Sequence, residues 1–148
     1  MEHLSIHTNG IVLHAVAAGP EDGPLIVLLH GFPEYWEAWK NQIGPLVEQG
    51  YRVLVPDQRG YNLSDKPEGV SQYTLDLLRD DIAGLIEQSG RDRAIIIGHD
   101  WGGAVAWHLA ATKPQFVDKL IVVNVPHPKA MPRVLAKNPL QWAKSSYM

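Results

Sequence analysis

One short segment of the chain carries the residue types of a nucleophilic active site. Gly98-His99-Asp100-Trp101-Gly102-Gly103 lies between a predicted strand and a predicted helix. It fits the pattern G-x-S-x-G of a nucleophile on a sharp strand-to-helix turn, with aspartate in the serine position. Such a turn lifts one side chain above the sheet edge, beside a helix N-terminus that favours negative charge. The pattern therefore makes Asp100 a candidate nucleophile.

A carboxylate at that position implies a particular chemistry. Aspartate has an unperturbed pKa of about 3.9, so it is ionised at neutral pH and needs no base to attack carbon. The product is an alkyl-enzyme ester, which water must later cleave. The alternative is a plain helix cap, with the glycines forming a turn. We favour the nucleophile, because a strand before the motif and a helix after it supply the required context.

A second segment follows the first buried strand and has the sequence His30-Gly31-Phe32-Pro33-Glu34. Enzymes with this kind of turn hold an oxyanion with the amide after the nucleophile and an amide from this loop. The backbone N–H groups of Trp101 and Phe32 are therefore the predicted oxyanion hole, acting when water attacks the ester. The residues with a predicted structural role in the two segments are His30, Gly31, Pro33, Gly98, His99 and Gly102.

A third segment is Asp57-Gln58-Arg59-Gly60-Tyr61, which continues to Ser64-Asp65-Lys66-Pro67. An Asp–Arg pair in a structured loop most often maintains the shape of that loop. We therefore predict a structural role for Asp57 and Arg59, and direct participation in the chemistry is the less favoured alternative.

The elements that must position these segments follow from the hydrophobic pattern. Asn9-Gly10 between two apolar stretches, Leu4 to Thr8 and Ile11 to Ala17, predicts a β-hairpin. Four strands are then predicted at 25–29, 51–55, 94–97 and 120–123, and helices at 35–50, 74–89 and 102–112. Gly44-Pro45 is expected to bend or restart the first helix. The alternation predicts an α/β fold with a mostly parallel sheet of about six strands, an N-terminal hairpin, helices on both faces, and ligands at the carboxyl ends of the strands.

The composition excludes several classes of function. The chain has 148 residues, a formal net charge of −3 and no cysteine, which excludes a thiol nucleophile and zinc–thiolate sites. The absence of a basic patch argues against nucleic acid as a partner. The longest apolar run, about five residues, is far shorter than the ~20 that span a bilayer, and the first residues form no signal peptide. We expect a cytoplasmic protein with no membrane partner, no cofactor and no metal.

Taken together, the three segments resemble the epoxide-hydrolase branch of the α/β-hydrolases in order and spacing, over essentially the whole chain. The resemblance implies a partial α/β-hydrolase fold that acts on a small-molecule epoxide. Asp100 would open the epoxide at carbon, and Phe32 and Trp101 would supply the oxyanion amides. In that family, tyrosines from a helical cap protonate the departing oxygen. A histidine paired with an acid then activates water, and the product is a diol.

The resemblance also implies a division of the chain, with residues 1–125 as the N-terminal part of the core and 126–148 as the start of the cap. None of the seven histidines matches the family's base, and Tyr147 matches no cap proton donor. His127, on a strand-end loop, is a minor candidate base. We therefore expect a truncated fragment that is inactive or reacts once. The edge strand at 120–123 predicts a homo-oligomer, or pairing with a complementing C-terminal half, in which the segment from Met131 onward packs on a neighbour.

Two other functions remain open. A dehalogenase also uses an aspartate nucleophile, and the indole N–H of Trp101 would suit a halide. However, haloalkane dehalogenases typically have asparagine at the position of Phe32, and fluoroacetate dehalogenases have arginine at that of Trp101. The second alternative is a non-catalytic half-domain that self-associates. A serine esterase is disfavoured because the turn carries Asp100.

Overall fold

The computed structural model describes residues 1–144, without the side chain of Trp142. Its six strands are β1 (Glu2–Thr8), β2 (Ile11–Ala18), β3 (Leu25–Leu29), β4 (Arg52–Pro56), β5 (Ala94–His99) and β6 (Val117–Val123). The α-helices are α1 (Lys40–Glu48), α2 (Leu75–Gln88), α3 (Trp101–Thr112), α4 (Ala130–Lys137) and α5 (Pro139–Lys144). Short 3₁₀ helices cover Trp36–Trp39, Val70–Tyr73 and Pro114–Phe116.

The six strands form one sheet in the order β1-β2-β4-β3-β5-β6. Strands β4, β3, β5 and β6 run parallel to one another, whereas β2 is antiparallel to both of its neighbours, β1 and β4. The hairpin turns at Asn9 and Gly10, whose φ angles of 50° and 78° are those of a type I′ turn. The predicted α/β fold, with its N-terminal hairpin and mostly parallel sheet, is confirmed.

The core lies on both faces of the sheet, because successive residues of β3, β4 and β5 point to opposite sides. One face packs against α2 and α3, and its buried residues include Leu25, Val27, Leu54, Ile82 and Leu109. The other packs against α1, with Ile26, Leu28, Ile43, Val53 and Val55. Helices on both faces hold the sheet rigid, so the loops at the carboxyl ends of the strands start from fixed positions.

The predicted helix at 35–50 differs from the structure. The segment starts as a 3₁₀ helix, Trp36–Trp39, and becomes α-helical at Lys40, while α1 continues through Pro45 without a break. The expected restart of the helix at Gly44-Pro45 is therefore wrong, because the change in helix type comes at Lys40. The expected bend there stays a prediction. Ile43 is the buried residue of α1 and packs against the sheet, as do the partly buried Leu46 and Val47 after the proline.

Two short exposed helices, α4 and α5, follow the sheet. After β6, the chain contacts Trp107 on α3. The indole N–H of Trp107 donates to the carbonyl of Val125 at 3.0 Å, and its ring meets that of His127 edge-on. The division at residue 125 into core and cap stays a prediction, and Tyr147 lies outside the described residues. Within residues 1–144, no helix is both long and apolar enough to cross a bilayer.

An ion-pair cluster joins α2 to α3 and leads to a pH prediction. Asp80 accepts from Arg79 Nε at 2.8 Å and from Lys113 Nζ at 2.9 Å. The hydrogen bond from Arg79, aided by Lys113 and opposed by burial, holds the pKa of Asp80 below its usual range. A carboxyl whose pKa is lower in the folded state contributes stability above its unfolded pKa, about 3.9, and loses that contribution as the pH falls through the folded value.

We expect Asp80→Asn to lower the free energy of unfolding at pH 7 by about 1 kcal/mol or less, since the pair is partly exposed. The difference from the native chain should vanish below the folded pKa of Asp80. Thermal unfolding between pH 7 and pH 2 measures it, with the exposed carboxyl of Asp92 replaced as Asp92→Asn for comparison. A deficit that persists unchanged at the acid end would contradict this role of the Asp80 charge.

Candidate active site

Asp100 lies on the turn between β5 and α3, in a strained conformation. Its φ and ψ angles are 55° and −124°, a region that non-glycine residues rarely adopt. It precedes the first residue of α3, yet its side chain makes no capping hydrogen bond to that helix. The plain helix cap is therefore not what the structure contains. The strain presents a half-buried carboxylate at the carboxyl end of the sheet.

The glycines around Asp100 are required by close backbone approach. A Cβ on Gly102 would lie 2.3 Å from the carbonyl oxygen of Leu29, and one on Gly98 would lie 2.4 Å from the carbonyl oxygen of Gly102. A Cβ on Gly31 would lie 2.4 Å from Cβ of Asp100. Side chains at these three positions would push β3, β5 and α3 apart, so the glycines allow the carboxylate to sit against the loop after β3.

The loop after β3 donates a hydrogen bond to the carboxylate. The backbone N–H of Phe32 donates to Oδ2 of Asp100 at 3.0 Å. This hydrogen bond is the main reason that the pKa of Asp100 lies below its usual value; burial opposes it, and the amide of Trp101 and the His99 imidazole lower the pKa further. The amide of Phe32, one of the two predicted as an oxyanion hole, thus donates to Asp100, which is ionised at neutral pH. The oxyanion role of the Phe32 and Trp101 amides stays a prediction.

The buried side chain of His30 stabilises the loop after β3. Its ring is fully buried, Nδ1 donates to the carbonyl of Gly31 at 2.9 Å, and Nε2 accepts from the backbone N–H of Gln58 at 2.9 Å. Burial lowers the pKa of His30, against the opposing effect of the bond to Gly31, so the ring stays neutral and keeps one acceptor nitrogen. Through these two hydrogen bonds, His30 joins the loops after β3 and β4. In the loop after β3, the Phe32–Pro33 peptide bond is cis.

The two residues whose backbone amides adjoin the carboxylate, Phe32 and Trp101, are aromatic. The side chains of Phe32 and Trp101 are 64% and 58% exposed, an unusual degree for such large apolar groups. Tyr61 meets the His30 ring edge-on at 4.8 Å, and burial, followed by the charge of Asp100, raises the pKa of Tyr61. A cavity of about 200 Å³ lies beside Trp101, and its other lining residues are Gln58, Arg59, Tyr61, Tyr73, Leu78 and Val105. Exposed aromatic side chains and a cavity of mixed polar and apolar lining therefore lie next to the turn that carries Asp100.

His99 lies at the end of β5, and its partly exposed ring contacts two neighbouring side chains. Its Nε2 is 3.1 Å from Nδ2 of Asn124, and its Nδ1 is 3.7 Å from Oε2 of Glu34. Asn124 has a φ of 61°, so the chain turns sharply at the end of β6. These contacts place the His99 ring between Asn124 and Glu34, and its predicted structural role stays a prediction. His127 accepts from the backbone N–H of Lys129 at 3.0 Å.

Asp57 and Arg59 do not pair with each other, which corrects the pairing inferred from the sequence. Arg59 makes two hydrogen bonds to Asp81 on α2, from Nε at 2.8 Å and from Nη2 at 2.7 Å. Asp57 instead accepts from His14 Nδ1 at 2.6 Å and from the backbone N–H of Trp36 at 2.9 Å. Both side chains are buried, and each ties the loop after β4 to a different element.

Sequence reasoning assigned no role to Tyr61, His14 or Asp81. Tyr61 stood inside a recognised segment, but nothing local indicated its place beside His30. A histidine in the otherwise apolar strand β2, and an aspartate on the buried face of α2, were the available signals for His14 and Asp81. Within the described residues, no group of three His, Asp or Glu side chains converges as metal ligands would.

The sheet and the turn at Asp100 define a class of protein. A family model described as the alpha/beta hydrolase fold matches residues 24–144. The chain belongs to this family.

Comparison with individual proteins shows which members of this family the chain resembles. The chain is 66% identical over 143 residues to the AB hydrolase superfamily protein YfhM of Bacillus subtilis, covering 97% of this chain and 50% of that protein. It is 46% identical to Epoxide hydrolase 1 of Caenorhabditis elegans, covering 97% of this chain and 35% of that protein. A solved epoxide hydrolase of Bacillus megaterium, in complex with an inhibitor, superposes with a TM-score of 0.90 at 38% identity, over 97% of this chain and 50% of that one.

These comparisons confirm the resemblance to the epoxide-hydrolase branch. They also show its extent, because the chain spans at most about half the length of these relatives.

Proposed function

We propose that this chain carries the nucleophile of an epoxide-hydrolase reaction, with Asp100 attacking an epoxide carbon. The observation that carries the proposal is the hydrogen bond from the Phe32 amide to Oδ2 of Asp100. It orients the carboxylate and stabilises its charge, while the second oxygen is available for attack. The strained turn at Asp100 and the exposed side chains of Phe32 and Trp101 support the same function.

The chemistry proceeds in two steps. An oxygen of Asp100 attacks an epoxide carbon, the C–O bond of the ring breaks, and the epoxide oxygen takes a proton as it becomes a hydroxyl. Water then attacks the carbonyl carbon of the resulting ester and releases the diol. The oxyanion of this second step develops on the oxygen that already accepts from Phe32, with the Trp101 amide as the second donor. The acid, base and cap tyrosines that the resemblance implies would complete the cycle.

The experiment is intact-mass analysis of the 148-residue chain after incubation with styrene oxide. Since no histidine of the sequence matches the family's base, we expect the ester to accumulate at one epoxide per chain. Peptide mapping should place it on Asp100, and the corresponding diol should leave the mass unchanged. A native, folded chain whose mass never changes would contradict the proposal.

The exposed indole of Trp101 also favours a second reaction, displacement of a halide from a haloalkane by the same carboxylate. Such a reaction would release halide and leave the same kind of ester. Incubation with a bromoalkane, followed by bromide measurement, separates the two functions. We expect alkylation by the epoxide to be the faster reaction, because Phe32 offers no side-chain donor for a halide.

We also propose that β6 is an interaction edge. Within residues 1–144, β6 pairs with β5 on one side only, and its Ile121 and Val123 side chains are 49% and 43% exposed. An open, apolar strand edge is a template for pairing with a second chain. We therefore expect a homo-oligomer, or association with a complementing C-terminal half. Light scattering at micromolar concentration tests self-association, and a monomer there would leave only the second possibility.

A further inference from the structure

Three side chains form a hydrogen-bonded row that the proposed function does not use. Oδ2 of Asp57 is 2.6 Å from Nδ1 of His14, and Nε2 of His14 is 2.8 Å from Nδ1 of His3. The two rings are nearly parallel, with centroids 5.1 Å apart, and a nitrogen–nitrogen distance this short requires that they meet edge to edge. The row runs from the buried carboxylate of Asp57 to the exposed imidazole of His3.

The hydrogen bonds of Asp57 determine which ring nitrogens carry protons. Its Oδ1 accepts from the backbone N–H of Trp36 at 2.9 Å, and its Oδ2 accepts from Asn62 at 2.8 Å. An ionised carboxylate only accepts, so His14 donates from Nδ1 and, when neutral, accepts at Nε2. His3 must then donate from Nδ1. Its Nε2 keeps the lone pair and makes no hydrogen bond within residues 1–144.

We propose that His3 is a second nucleophile of this protein, directed at small activated acyl compounds such as aryl esters and thioesters. Asp57, His14 and His3 correspond in their roles to the acid, base and nucleophile of a Ser-His-Asp triad, with an imidazole in place of the serine hydroxyl. The row makes His3 a reactive site separate from Asp100.

The reaction can be written with its protons. Nε2 of His3 attacks the acyl carbon, and the leaving group departs with the electron pair of its bond to that carbon. The proton on Nδ1 of His3 passes to Nε2 of His14, whose positive charge Asp57 stabilises. Water then attacks the acyl-imidazole, and the C–N electron pair returns to Nε2 of His3. His14 returns its proton to Nδ1 of His3. The carboxylate product and the leaving group are released, and the two protons of the water molecule pass to solvent.

The chain contains a matched control on the same strand. His7 is also exposed on β1, and no part of residues 1–144 connects its ring to a carboxylate through a second histidine. His3 differs from His7 by the row and by an edge-on contact of its ring with that of Trp36, at 5.7 Å between centroids. General-base assistance of the kind that His14 would give is worth about 10²–10⁴-fold where geometry is favourable. A difference between His3 and His7 that disappears in a folded His14→Gln chain therefore measures the effect of the row.

The test uses the native chain and diethyl pyrocarbonate, an acylating reagent for imidazole, at less than one equivalent and pH 7.5. Peptide mass spectrometry gives the rate of modification at each histidine. We expect His3 to react at least about tenfold faster than His7, in keeping with base assistance. Equal rates, or a faster His7, would overturn the proposal without any variant having to fold.

Two variants locate the cause. His14→Gln keeps a polar side chain that cannot take a proton, so the rate at His3 should fall to that at His7; circular dichroism verifies the fold. A folded His14→Gln chain in which His3 stays fast would overturn the assignment of the base. With p-nitrophenyl acetate, His3→Gln should lose most of the p-nitrophenolate release above background, and His7→Gln should keep it. Equal release from both variants would also count against His3.

Discussion

Asp100→Asn should abolish alkylation by an epoxide, reducing the rate by at least about 10³-fold, as expected for removal of a covalent nucleophile. The amide oxygen of asparagine carries no charge and is a poor nucleophile. The fold should be retained, because asparagine has the same size and shape as aspartate and can keep its place on the strained turn. Intact mass after incubation with styrene oxide measures the effect, and thermal unfolding verifies that the variant is folded.

Two controls distinguish the nucleophile from general carboxylate reactivity. Asp22→Asn removes an exposed carboxylate from a turn far along the chain and should leave alkylation unchanged. Asp100→Ala removes the same function as the asparagine variant and cannot regain it by deamidation. If the Asp100 variants still took up one epoxide per chain, another residue would be the nucleophile and the proposed function would be wrong.

Arg59→Met should produce the largest loss of stability that the site region offers, about 3–5 kcal/mol in the free energy of unfolding. The side chains of Arg59 and Asp81 are each only 2% exposed, and they share two hydrogen bonds. Removing the guanidinium leaves the charge of Asp81 buried with a single donor from Asn9. Since a domain is stable by only about 5–15 kcal/mol, urea unfolding should show a large fall in the midpoint.

Arg79→Met is the matched control for this prediction. Arg79 also lies between two aspartates, but Asp76 is well exposed and Asp80 partly so. Its loss should cost about 1 kcal/mol or less. The double variant Arg59→Met with Asp81→Asn should recover part of the stability, because no unpaired charge stays buried. Equal losses from the Arg59 and Arg79 variants would argue against a special role for the buried pair.

The strands and most of the helices could be predicted from the sequence because their signals are local. Asn9-Gly10 takes the two positive φ angles of its turn, and the apolar stretch at 25–29 is a strand buried on both faces. Thr74 precedes α2 and accepts from the backbone N–H of Leu77, as an N-cap does. The first helix was predicted less well. Pro45 lies inside α1, where Ile43, Leu46 and Val47 pack against the sheet, and the local proline signal does not report this tertiary packing.

Part of the candidate site could likewise be predicted from the sequence, and part of it could not. Its residue types and the sharp turn at Asp100 could be inferred from the sequence, since closely spaced glycines around one polar residue between a strand and a helix have a local steric cause. The environment of that residue could not. Phe32 and Asp100 are 68 positions apart, and their hydrogen bond exists because β3 and β5 are neighbours in the sheet.

The ionic partners were likewise decided by tertiary structure. Arg59 and Asp57 are two positions apart, yet each bonds a residue distant in sequence, Asp81 on α2 and His14 on β2. The sequence by itself determined where charge, glycine and apolar surface would occur along the chain. Only the packing of β2, β4 and α2 around one loop decided which charges meet, because a buried charge must find its partner among the side chains that enclose it.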